Sequence, residues 1–325
     1  MNYKLKVTGF LLSMTLSFAP TITFGQAYPV KPIKIINTFS PGSVIDITAR
    51  TISQKLSERW GQQVTVENRP GGGGTGSVGT DFAAKSPPDG YTWLLAPNSA
   101  MIISPHFVKT PFDVFKDFIP VGQIATTPFL LVVSTQIPVR TVQELIDYAK
   151  ANPGKINYGS SGNGSPQHLG GELLKRAGGF DMAHIPYKGA ALSITDLIGG
   201  RLQVFVGAAG SLLPHIREGK IRLIASAGNK RLARFPDVPT IAETLPGVEV
   251  DAWLGIFLPT GTPRELVLKI NADVADVLSV AETRTALSNQ GIETAVGSSE
   301  ALAELMKTDF NRWGRVIREA NIKAD

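Results

Sequence analysis

The 325-residue chain contains no cysteine, which excludes disulfide frameworks, thiolate metal sites and thiol catalysis together. The same absence removes the residue to which a bacterial lipoprotein's anchor is attached. Histidine is scarce: His106, His168, His184 and His215 are the full set, and no two share a metal-ligand spacing. No metal or other cofactor is expected. Charged residues make up 18% of the chain, with no cluster of Lys and Arg interleaved with aromatics, which argues against nucleic acid as a partner. Beyond the first thirty residues, the longest uncharged window, Phe118 to Val139, is interrupted by Pro120, Pro128 and Pro138, so it does not read as a membrane helix. The G-x-S-x-G elbow, P-loop, H-E-x-x-H and S-x-x-K motifs are all missing. No catalyst is named by these residues.

What is present is a globular composition: 43% hydrophobic residues, 33 Gly and 22 Pro. The length suggests about two domains. Lys4 and Lys6 precede an apolar stretch, Gly9 to Ala19, and Gly25-Gln26-Ala27 places small residues at a cleavage site. This order is that of a secretory signal, residues 1–27, and its apolar run is too short to span a bilayer. Cleavage after Ala27 removes two lysines and lowers the formal charge from +5 to +3. The expected mature protein begins at Tyr28, is soluble and not lipidated, and fits a periplasm.

Beyond the signal, short β-branched runs alternate with helical patterns. Ile33–Thr38, Val64–Glu67 and Thr92–Ala96 read as strands around helices Val44–Trp60 and Ser77–Ala84. A second set follows: strands Phe129–Ser134 and Ile156–Tyr158 with helices Thr141–Asn152 and Pro166–Ala177. Further strands are expected at His184–Pro186, Leu202–Val206, Arg222–Ser226 and Trp253–Leu258. Helices at Ala190–Ile198, Pro263–Leu278, Thr283–Asn289 and Ser299–Ala320 complete the pattern. Such alternation predicts an α/β fold of βαβ units with a mainly parallel sheet.

Four loops carry chemistry. In Phe39 to Arg50, Ser43 and Asp46 have capping-box spacing, and the helix start they open also attracts an anion through its unpaired amides. In Asn68 to Gly79, Gly74, Gly76 and Gly79 match a dinucleotide fingerprint. Asn68-Arg69-Pro70 separates them from the strand and no acid follows the next one, so a flexible loop or close backbone packing is the better reading. In Tyr158 to Leu169, a strand yields to a Ser/Gly loop and Pro166 opens a helix at its favoured first position. Amides there, with the hydroxyls of Ser160, Ser161 and Ser165, can converge on a carboxylate or phosphate, and His168 one turn on either joins them or makes a local hydrogen bond. In Ile185 to Ala190, Tyr187 offers a ring and a hydroxyl, and Lys188 either a counter-charge or a solvated side chain. An α/β hydrolase using Ser161 or Ser165 with His168 would need an acidic partner for the histidine, and none is identifiable.

With those loops in hand, the chain resembles the substrate-binding proteins of tripartite tricarboxylate transporters, the Bug family. The landmarks run through roughly 28–322: Y-P-V-K-P-I-K-I-I, F-S-P-G-S-V-I-D-I-T-A-R, V-E-N-R-P-G-G-G-G, P-P-D-G-Y-T, Y-G-S-S-G-N-G-S-P-Q-H-L, I-P-Y-K-G, F-P-D-V-P-T-I-A-E and L-P-T-G-T-P. The resemblance implies a two-lobed periplasmic binding protein of type II-like fold, with lobes 28–128 plus 253–325 and 129–252 around a central cleft. It implies a monomer that closes on a small carboxylate and delivers it to membrane permease subunits, without catalysis. Carried over by position, the ligand-binding set is Phe39, Ser40, Ser43 and Asp46 on one side, and Ser161, Gly162, Ser165 and His168 on the other. Asn98, Ser99, Tyr187 and Gly207 at strand ends join them. Where the family pattern usually reads P-G-G, this chain has Pro41-Gly42-Ser43, followed by apolar Val44 and Ile45, a tilt toward an aromatic or otherwise apolar carboxylate. A periplasmic sensing partner of a two-component system would present the same pocket.

Overall fold

The computed structural model describes residues 28–71 and 76–322; the expected signal, 1–27, lies outside the described residues. The first unit is β1 (Ile33–Asn37), α1 (Val44–Trp60), β2 (Val64–Asn68), α2 (Ser77–Ala84) and β3 (Thr92–Pro97). Helix α1 buries Ile45, Ala49, Ile52 and Leu56, a stripe at helical spacing, and stops at Gly61, whose φ of 62° suits a residue without a side chain. Strands β2 and β3 flank β1, both parallel to it.

The second unit repeats this plan. After β4 (Phe118–Ser134) and α3 (Val142–Ala151) come β5 (Asn157–Ser160), α4 (Pro166–Gly178), β6 (Ala183–Pro186), α5 (Ala190–Ile198) and β7 (Val204–Ala208). Here β6 and β7 flank β5, again parallel. The chain continues through α6 (Ala209–Arg217), β8 (Ile221–Ser226), β9 (Asp251–Pro259), α7 (Arg264–Ser279), α8 (Ala281–Asn289), β10 (Glu293–Thr294) and α9 (Ser299–Glu319). Among the described residues no helix is long and apolar enough to cross a membrane.

Strand β4 ties the units together. Its residues 118–128 pair antiparallel with β9, and 129–134 pair antiparallel with β7 and β8. The change falls at Pro128, opposite Asp251. The expected mainly parallel sheet is therefore corrected to a mixed one, because β4 and β9 pass between the units without a helical crossover. The strand expected at Phe129–Ser134 is also only the second half of a 17-residue strand. Helix α6 was hidden by Gly210 and Pro214, both poor interior helix residues.

Trp253 on β9 is buried and donates from Nε1 to Asp309 Oδ2 at 2.8 Å, fixing α9 against the sheet. Behind the crossover, α6 meets the end of α8 backbone to backbone. A Cβ on Gly210 would lie 2.6 Å from the Gln290 carbonyl oxygen, and one on Gly291 (φ +74°) 2.6 Å from Gly210 Cα. Gly210→Ala is expected to destabilise the fold by about 1–3 kcal/mol through overpacking against backbone. The urea midpoint, read at unchanged m-value, checks this.

Candidate ligand-binding site

In each unit the chain leaves the central strand toward one neighbour and returns to the other, so two loops diverge at the strand ends. Open α/β sheets bind ligands in that crevice. In the first unit the crevice is flanked by the loops after β1 and β3, in the second by those after β5 and β7. Phe39, Ser40, Ser43 and Asp46 follow β1, and Asn98 and Ser99 follow β3. Ser161, Gly162, Ser165 and His168 follow β5, Gly207 lies at the end of β7, and Tyr187 follows β6. Phe107, just beyond the β3 loop, packs on the second unit: a Cβ on Gly164 would come within 2.9 Å of its ring.

The β1–α1 loop is built on a buried carboxylate. Ser43 Oγ accepts from the Asp46 amide at 3.2 Å and caps α1. Val44 and Ile45 sit in the first turn, where a helix leaves amides without intrahelical partners. Asp46, 3% exposed, accepts from Asn37 and Asn68 on Oδ1, and from the Gly42 amide and Arg50 on Oδ2. Burial alone would raise its pKa. Hydrogen bonds from Arg50, Gly42 and Asn68 outweigh that and lower it to about 2. Asn37 Oδ1 and Asn68 Nδ2 also hold the amide and carbonyl of Phe39. Asp46 thus spends its oxygens on shaping the loop, while Ser40 stays exposed and Phe39 and Ser43 half-buried.

The β5–α4 loop follows the same logic with different parts. Ser165 Oγ accepts from the His168 amide at 3.3 Å and caps α4, and Pro166 occupies the first helical position. His168 Nδ1 accepts from the Gly164 amide at 3.1 Å, and Ser161 donates to Gln167 Oε1 at 3.1 Å. Neither Ser161 nor Ser165 makes its hydrogen bond to the His168 ring. The serine–histidine hydroxyl contact is Ser160 Oγ to His184 Nε2 at 2.7 Å, and Ser160 is fully buried.

Among the remaining positions, Asn98 is buried and donates from Nδ2 to the Asp251 carbonyl at 3.1 Å, beside the β4–β9 crossover. Ser99 opens a short π-helical turn, Ser99–Ile103. Tyr187 donates to Asp196 Oδ2 at 2.6 Å, and burial followed by that carboxylate raises its pKa to about 12. Gly207 leaves no room for a side chain beside the Phe205 ring. Asn68, Arg50, His184 and Phe107 were not singled out. They lie 18 residues or more from the groups they serve, or, for Arg50, on a helix face that reads as solvated. Two cavities of about 380 and 490 Å³ lie elsewhere, along Lys230–Ala233 and Arg284–Thr294.

A family model described as "Tripartite tricarboxylate transporter family receptor" matches residues 48–322. The chain is 36% identical over 98% of its length to a Pseudomonas sp. protein from a tcbD–tcbE intergenic region, 95% of which is covered. An R. palustris protein solved with adipate superposes with a TM-score of 0.78 at 33% identity, covering 92% of this chain and all of that one. MatC from Rhodopseudomonas palustris, solved with malate, gives 0.73 at 30% identity over 89% of this chain and all of MatC. The chain belongs to the tripartite tricarboxylate transporter receptor family, a family of solute-binding proteins with two-lobed α/β folds.

Asp46→Asn should destabilise the protein at pH 7 by about 2 kcal/mol, the linkage equivalent of a carboxyl held near 2 in the fold and near 4 unfolded. A depressed folded-state pKa stabilises above the unfolded value, and this contribution is lost as pH falls through the folded one. The gap between wild type and variant should therefore be full above pH ~5 and close toward pH ~2. Urea titrations at a series of pH values measure it.

Proposed function

We propose that this chain is a periplasmic receptor that captures a small organic carboxylate between two lobes and presents it to the permease subunits of a tripartite tricarboxylate-type transporter. It binds as a monomer, without turnover and without a cofactor. Residues 1–27 direct export, and with no cysteine the mature chain carries no lipid anchor. The lobes are 28–128 with 253–325 and 129–252, hinged where β4 changes partners at Pro128 opposite Asp251.

The observation that carries this reading is the repeated construction of the two crevices. Each places a serine-capped helix start directly after the central strand of a βαβαβ unit, Ser43 after β1 and Ser165 after β5. Helix starts offer amides and a partial positive charge to an anion. Two of them, facing one cleft from opposite lobes, suit a ligand with a carboxylate at one or both ends. Adipate and malate in the related structures support a dicarboxylate.

A thermal-shift panel of succinate, malate, adipate, citrate and benzoate on the mature protein tests the reading. One compound should stabilise the fold, by about 2.7 kcal/mol at 100-fold its Kd. Mass spectrometry should recover it unaltered. No stabilisation by any carboxylate, or recovery of a converted product with turnover, overturns the proposal.

Ser165→Ala tests the site itself. Its hydroxyl oxygen caps α4 and its proton is left to donate to the ligand. Loss of a hydrogen bond to a charged group should weaken affinity about 10- to 150-fold, with about 1 kcal/mol of fold stability lost with the cap. Lys155→Ala, an exposed residue after α3, should leave affinity unchanged by calorimetry.

A further inference from the structure

The two loops that flank the first crevice each open on a buried polar side chain with one atom left unmatched. Thr38 follows β1 directly and is 1% exposed, and Asn98 follows β3 directly and is fully buried. Neither Thr38 Oγ1 nor Asn98 Oδ1 has a hydrogen-bond partner among the described residues. An unmatched polar atom away from water is costly, so one that persists at a crevice marks a place for a group from outside the chain.

The chemistry of each atom is fixed. Asn98 Nδ2 donates to the Asp251 carbonyl at 3.1 Å. A carbonyl only accepts, so the amide cannot be turned round, and its free end, Oδ1, is an acceptor with no proton to give. The Thr38 hydroxyl donates or accepts. Strands β1 and β3 are paired as far as Asn37 and Leu95, so Thr38 and the β3 loop emerge side by side. The start of α2 closes over them. A Cβ on Gly76 (φ +72°) would lie 3.0 Å from Thr38 Oγ1 and 3.4 Å from Ala100 Cβ, and one on Gly79 3.2 Å from Thr38 Cγ2. The glycines that match a dinucleotide fingerprint thus pack backbone against Thr38 and bring no side chain to its hydroxyl.

A carboxylate alone does not answer this pair, because it is acceptor-only and Asn98 Oδ1 needs a donor. A ligand hydroxyl answers both atoms, donating to Asn98 and accepting from Thr38, and an ammonium donates to either. We propose that Thr38 and Asn98 are specificity residues that select a carboxylate bearing a hydroxyl or amino group over the same skeleton without one. The amides at the start of α1 take the carboxylate, and the pair reads the substituent beside it. This rests on the first crevice being part of the carboxylate site proposed above.

Calorimetry on the full mature chain compares succinate with malate and L-aspartate, which add one hydroxyl or one ammonium to the same four-carbon skeleton. Wild type should bind malate or aspartate at least ~10-fold more tightly than succinate, within the range of one hydrogen bond to a buried group. Thr38→Val puts a methyl where the unmatched hydroxyl was, so the unliganded protein should melt no lower than wild type. Its affinity for the preferred ligand should nevertheless fall ~5-fold or more, with succinate affinity unchanged. Asn98→Leu should bind all three alike. It also removes the donor to Asp251, so if it fails to fold, Thr38→Val decides. Equal binding of the three by wild type, an equal loss for all three in Thr38→Val, or a preference that Thr38→Val keeps in full overturns the proposal. If none of these binds, nor any other carboxylate of the thermal-shift panel, the carboxylate reading falls and this inference with it, an outcome distinct from binding without preference.

Discussion

The hydrogen-bond ladder between β4 and β9 is the constraint on which the rest depends. Each unit alone is a three-stranded parallel βαβαβ sheet that needs a further strand beside β3 or β7. The antiparallel pair β4–β9 supplies both, since β9 pairs with β3 and the second half of β4 pairs with β7. One ladder therefore extends two sheets and sets the direction in which their carboxyl-end crevices open. Backbone ladders are well suited to this, because every buried N–H and C=O along them must be matched. The partner change at Pro128 falls at a residue with no N–H to lose.

The two crevices reach a similar result by different chemistry. In the first, a single carboxylate, Asp46, gathers four donors and holds Gly42 and Phe39 in place. In the second, two histidines and a buried serine hold the loop's amides. Both leave a capped helix start facing outward. An anionic ligand suits the site proposed here, since a helix start leaves amides without intrahelical partners.

Most of the elements were legible in the sequence, and so were the two serine-capped helix starts proposed as the site. The stripe Ile45, Ala49, Ile52, Leu56 announces α1, Gly61 its end, and Ser43 and Ser165 their helix starts, because all these signals act within one or two helical turns. What was not legible shares a different character. The first half of β4 carries Pro120 and Pro128, which read as interruptions until β9 is beside it, and α6 carries Gly210 because Gln290, 80 residues away, fills the space of a side chain.

By itself, then, the sequence determined the absence of disulfide and thiolate chemistry, the α/β class, the family and the two serine-capped helix starts. Each of these follows from composition or from residues close together along the chain. The tertiary structure alone decided that Asp46 shapes its loop through Asn37, Asn68, Gly42 and Arg50. It also decided that Ser160, not Ser161 or Ser165, meets a histidine ring, and that His184 stacks on His168. The physical reason is that hydrogen bonds and ring contacts depend on strand order and register. Those are set by the packing of the whole sheet and leave no mark within a local window of sequence.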